Sequence, residues 1–78
     1  MVFEKLQDII SEELNIPKSD IEMSTSFQDD LNADSLDLFQ VIMAIEEEFD
    51  LEISNEDAES VTTVETAVEL IEKTKELD

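Results

Sequence analysis

The sequence predicts an all-α fold: a small four-helix bundle with three longer helices, one short third helix, and a long loop between the first and second. Three observations carry that prediction. Apolar residues recur at three- and four-residue spacing in three separate stretches. Two-residue alternation, the mark of a half-buried strand, is absent, so no sheet is expected. Ser, Thr or Asp at three places stands ahead of such a stretch where a helix needs a cap. With 78 residues the chain forms one domain, residues 1–78, because it is too short to enclose two independent cores.

Val2, Leu6, Ile9, Ile10 and Leu14, with Phe3 beside them, give a first helix over 2–14 that stops at Asn15-Ile16-Pro17. Residues 15–33 are polar and turn-rich but punctuated by Ile16, Ile21, Met23, Phe27 and Leu31. Nineteen structureless residues are long for a small domain, so these side chains are expected to pin an ordered loop containing one short helical turn. Asp34 precedes a second helix running to Phe49, with an acidic first turn that suits the positive end of the helix dipole. Ser54-x-x-Asp57 resembles a capping box ahead of a short third helix over about 55–60. Thr62-x-x-Glu65 is a better box and opens the fourth helix, with Val64, Ala67, Val68 and Ile71 on one stripe and Lys73 and Lys75 near the negative C-terminal end.

Composition excludes several functions. Twenty-three acidic residues against four lysines give a net charge of −19, which repels phosphate backbones and anionic membranes and rules against nucleic-acid binding. The chain has no Cys and no His, so it lacks a thiolate nucleophile, a zinc-thiolate site and the usual general base. It has no Gly either, which removes the phosphate-cradling loops of nucleotide enzymes. No apolar run approaches the ~20 residues that cross a bilayer. The N-terminus has neither the basic nor the apolar region of a secretory signal, so a soluble, unexported monomer is expected.

A helical wheel over the second helix separates two apolar sets. Leu38, Val41, Ile42, Ile45 and Phe49 face the core, whereas Leu36 and Met43 lie almost opposite, on an arc shared with Gln40, Glu47 and Asp50. Bulky apolar residues rimmed by acids suit a docking face for a basic partner. Ser35 lies at the helix start. If Asp34 is the cap, Ser35 is the first helical residue and its hydroxyl is free; if Ser35 caps, no reciprocal box forms, and a Ser in this place is most often a cap. Without a neighbouring base it is no catalyst, but an exposed serine at a helix start is a good acceptor for a phosphate-linked group. Asp30-x-Asn32-x-Asp34 matches three calcium-loop positions, yet Ser35 and Val41 stand where the loop needs Gly and a bidentate Glu, so no metal site is expected.

Asp34-Ser35-Leu36-Asp37, preceded by Asp30-Leu31-Asn32-Ala33 and followed by Met43-Ala44-Ile45-Glu46-Glu47-Glu48-Phe49, closely resembles the acyl carrier proteins of dissociated fatty acid synthesis. Phe27, Glu52-Ile53, Asp57-Ala58-Glu59 and Thr62-Thr63-Val64 extend the resemblance over essentially the whole chain. It implies that a phosphopantetheinyl transferase attaches 4′-phosphopantetheine from coenzyme A to Ser35, and that the arm's thiol carries growing acyl chains as thioesters. The thiol must be imported, since the chain has none. The resemblance further implies that Asp34, Leu36, Asp37, Gln40, Met43, Glu46 and Glu47 dock on the basic surfaces of fatty acid synthesis enzymes. Two positions depart from the family pattern: Asn32 replaces a usual Gly and Gln40 a usual Glu. Asn enters left-handed backbone conformations most readily after Gly, so the turn should survive.

A loaded acyl chain is expected to lie inside the bundle, walled by Leu38, Ile42, Ile45, Ala58 and Val61, because each buried methylene contributes about 0.8 kcal/mol. Alternatives are a carrier of D-alanine or polyketide intermediates, an acidic interaction module without a prosthetic group, and an ion buffer. The resemblance places the protein in a bacterial cytoplasm, or in an organelle as a processed form.

Overall fold

The structure, a computed structural model, describes residues 2–75. Helices α1 (Val2–Leu14), α2 (Ser35–Phe49), α3 (Asn55–Glu59) and α4 (Val64–Lys75) follow in that order, with a 3₁₀ turn at Lys18–Asp20 inside the long loop. Leu6, Ile9 and Ile10 of α1 meet Val41, Ile42 and Ile45 of α2 and Val64, Ala67, Val68 and Ile71 of α4 in one core. These are the stripes that the helical spacing marks out. The short α3 adds only Ala58 to the buried set, and Val61 follows it.

No glycine is available for helix ends, so other residues take the left-handed backbone positions. Asn15 (φ 58°), Asn32 (φ 55°) and Asp50 (φ 54°) do so, Asn and Asp being the side chains that tolerate this region best. Asn15 lets the Ile16 N–H reach back to the Ser11 carbonyl at 3.2 Å and close α1. Asp50 ends α2 in the same way, with the Leu51 N–H on the Glu46 carbonyl at 3.1 Å.

The loop between α1 and α2 is ordered by hydrogen bonds as much as by side chains. Ile21 and Phe27 are buried and Ile16 and Leu31 half-buried, but Met23, expected among the pins, is 39% exposed. What holds that stretch is backbone: carbonyls of Thr25 and Met23 accept from the first N–H groups of α4, Val64 and Glu65, both at 2.9 Å. The helix start thereby fills its orphan donors from the loop rather than from water. The Phe27 N–H donates to the Thr62 carbonyl at 3.1 Å, and Ser26 and Thr63 form an isolated antiparallel bridge. This single bridge is the only sheet-type pairing among the described residues.

The cap of α4 differs from the expected Thr62/Glu65 box. Thr63 Oγ1 accepts from the Thr66 N–H at 3.3 Å, and Thr66 Oγ1 accepts from the Thr63 N–H at 2.9 Å. The register is one residue later because the Phe27 N–H ties the Thr62 carbonyl into the connector and Val64 is the first helical residue. Ser54 caps α3 by accepting from the Asp57 N–H at 3.1 Å, and the helix ends at Glu59, one residue before the expected limit.

Candidate functional site at the start of α2

Asp34, not Ser35, caps α2. Its carboxylate accepts from the Asp37 N–H at 2.9 Å, and the Asp37 carboxylate accepts in return from the Asp34 N–H at 3.4 Å. Ser35 is therefore the first helical residue, exposed, with a hydroxyl the cap does not require. Asn32 in its left-handed conformation and the Ala33 N–H on the Phe27 carbonyl at 2.8 Å fix the chain just before it.

Two clefts meet at Ser35. One, of about 300 Å³, is lined by Ser35, Leu38, Phe39, Ile42, Ala58 and Glu59 and runs between α2 and α3. The other, of about 500 Å³, opens toward the loop, where Phe27, Gln28, Ala33, Val61 and Thr62 join Ser35, Leu38 and Glu59. Of the expected chain-binding walls, Leu38, Ile42 and Ala58 line the first cleft and Leu38 and Val61 the second. Ile45 lies deeper, 1% exposed in the core, and lines neither. Phe39, which fits neither set on the helical wheel, lines the first cleft. Its position four residues after Ser35 was the available signal, since i and i+4 side chains share a helix face.

The outward arc carries Leu36 at 66% and Met43 at 59% exposure, with Asp34, Gln40 and Glu47 exposed and Asp37 half-buried. Glu46 behaves differently from the rest of the arc. It is half-buried, and its Oε2 accepts from the Ile53 N–H at 2.8 Å, so this carboxylate ties the segment leading into α3 to α2. The lysines that form contacts do so elsewhere: Lys5 pairs with Glu48 at 3.3 Å, Lys18 with Asp8, and Lys75 donates to the Phe49 carbonyl at 2.9 Å. In the apparent calcium-loop motif, Asp30 accepts from the Ser26 N–H at 2.7 Å and Asp34 caps α2. Among the described residues no cluster of three or more carboxylates is placed to hold a metal ion.

A phosphodiester on Ser35 fits this geometry. The hydroxyl is accessible, the unpaired N–H groups of the first turn favour an attached anion, and both clefts open beside it. The family model for a phosphopantetheine attachment site matches residues 4–71. The acyl carrier protein of Clostridium acetobutylicum is 54% identical over 71 residues, covering 91% of this chain and 92% of that protein. The chain belongs to the acyl carrier protein family. Among solved structures, a candidate acyl carrier protein of Mycobacterium tuberculosis matches with a TM-score of 0.85 at 34% identity, covering 91% of this chain and 95% of that one.

Acyl carrier proteins are carriers, not catalysts, and 4′-phosphopantetheine is the cofactor of this family. The arm supplies the thiol that a chain without cysteine lacks. The protein's own residues supply an exposed serine at the start of α2 and two clefts that open beside it. No helix among the described residues is long and apolar enough to cross a membrane.

Proposed function

We propose that the protein carries growing fatty acyl chains as thioesters on 4′-phosphopantetheine attached to Ser35, and delivers them to the enzymes of dissociated fatty acid synthesis. The observation that carries this reading is the coincidence at Ser35 of a hydroxyl not required for capping and an apolar cleft. A D-alanyl or other polar cargo gains nothing from walls made of Leu38, Phe39, Ile42 and Ala58, whereas each methylene buried there contributes about 0.8 kcal/mol.

Ser35 sits where a modifying enzyme can reach it without unfolding the helix. Asp34, Leu36, Asp37, Gln40, Met43 and Glu47 form the face that meets basic partners, the transferase included. Apolar Leu36 and Met43 provide contact area, and the carboxylates steer association. Glu46 contributes charge to that face while holding the Ile53 amide. The protein acts in the cytoplasm as a monomer.

Isolating the protein from its native cells and identifying the groups on the arm tests the cargo. A ladder of saturated and 3-oxygenated acyl chains is expected. D-alanyl groups alone, or an unmodified chain, contradict the proposal.

A further inference from the structure

Phe39 is the largest side chain lining the cleft between α2 and α3, and it is 50% exposed. Phe27, which lines the other cleft, is 3% exposed and belongs to the core. Ser35, Leu38, Phe39 and Ile42 follow one another at i, i+3, i+4 and i+7, so they form one stripe along α2, and all four line the cleft with Ala58 and Glu59. Ile42 and Ala58 are buried and make the floor; Phe39 stands on the solvent side. Leu36 and Met43 are still more exposed apolar residues of the same helix, yet neither lines either cleft.

We infer that Phe39 is a specificity-determining residue for the cargo: its ring forms the outer wall of the cleft and makes retention of a saturated chain grow steeply with chain length. The inference rests on the proposed acyl cargo and names the residue that ranks it. A chain lying on Leu38, Ile42 and Ala58 alone keeps one flank in water. The ring covers that flank, and the chain in turn covers the exposed half of the ring. Both apolar surfaces leave water together, and the gain per added methylene scales with the area removed. The same cover keeps water from the part of the arm nearest the cleft.

The test uses the protein alone, without partner enzymes, so a docking role of Phe39 does not enter. Wild type, Phe39→Ala, Phe39→Leu and Met43→Ala are each loaded with hexanoyl, octanoyl and decanoyl chains. Melting temperature and the half-life of the thioester at mildly alkaline pH are then measured. Wild type is expected to gain stability and half-life with every added pair of carbons. Phe39→Ala should clearly lower that slope, because the outer of the apolar walls is gone while Leu38, Ile42 and Ala58 remain. Phe39→Leu should fall between them, and Met43→Ala should match wild type.

A wild-type slope that persists unchanged in Phe39→Ala overturns the role of Phe39 and leaves the cargo reading standing. Equal losses in Met43→Ala and Phe39→Ala overturn it as well. A wild type whose stability and half-life ignore chain length overturns both. If the alanine variant fails to fold, the intermediate slope of Phe39→Leu decides in its place.

Discussion

Asp34 does two jobs that a pair of substitutions separates. Its carboxylate caps α2 through the Asp37 N–H at 2.9 Å, and its charge lies at the positive end of the helix dipole. Asn caps about as well as Asp, whereas Ala removes the acceptor at a typical cost of ~1 kcal/mol. The return bond from the Asp34 N–H to Asp37, at 3.4 Å, is longer than the usual 2.7–3.2 Å and adds little. Loss of the charge costs a further 0.3–1 kcal/mol at low salt, roughly, and salt screens it. Asp34→Ala should therefore melt about 4–8 °C below wild type in high salt, the shift that ~1 kcal/mol produces in a domain of this size, and lower still in dilute buffer, where the lost charge adds its share. Asp34→Asn should melt slightly low in dilute buffer and return to the wild-type value in high salt. Thermal melts followed by circular dichroism at two salt concentrations check both. If Asn and Ala lose equally in high salt, the hydrogen bond is not what holds the first turn and Ser35 in place.

Three other perturbations follow from the geometry. Ile42→Ala should cost about 2–5 kcal/mol in urea denaturation, as a buried large-to-small change, while Met43→Ala should leave stability nearly unchanged and weaken binding to a basic partner; a Met43→Ala variant that unfolds places Met43 in the core. Asp50→Gly should raise stability by about 1 kcal/mol, because Gly enters the φ 54° position without steric cost and the substitution removes a negative charge from the negative end of α2; an unchanged urea midpoint rejects the strain at Asp50. The Asp8 hydrogen bond, and then its charge, raise the Lys18 pKa above the usual 10.5. A raised folded value means that the stabilisation is fully present below pH 10.5 and is lost as pH climbs through the folded value, so the melting difference between wild type and Lys18→Met should hold at neutral pH and shrink in strong alkali.

The helices were legible because each buries one stripe. Leu6, Ile9 and Ile10, then Val41, Ile42 and Ile45, then Val64, Ala67, Val68 and Ile71 announce their burial by spacing alone, and the structure buries them all. Leu36 and Met43 were legible as outward residues for the same reason. What escaped the pattern depends on contacts remote in sequence. Nothing near Thr62 reveals that its carbonyl receives the Phe27 N–H, so the box at Thr62 and Glu65 gives way to one at Thr63 and Thr66. Glu46 reads as surface charge until the turn at Asp50 folds the Ile53 amide onto it. Phe39 sits between the two faces of the wheel, and only the position of α3 turns that intermediate angle into the wall of a cleft.

Site mapping of the covalent arm tests the carrier assignment most directly. The chain is incubated with coenzyme A and a phosphopantetheinyl transferase, digested, and the modified peptide sequenced by mass spectrometry. One 4′-phosphopantetheine on Ser35 in wild type, with none added to Ser35→Ala, is the expected result. An arm on Ser11, Ser24 or Ser54, or a folded wild type that no transferase modifies, contradicts it.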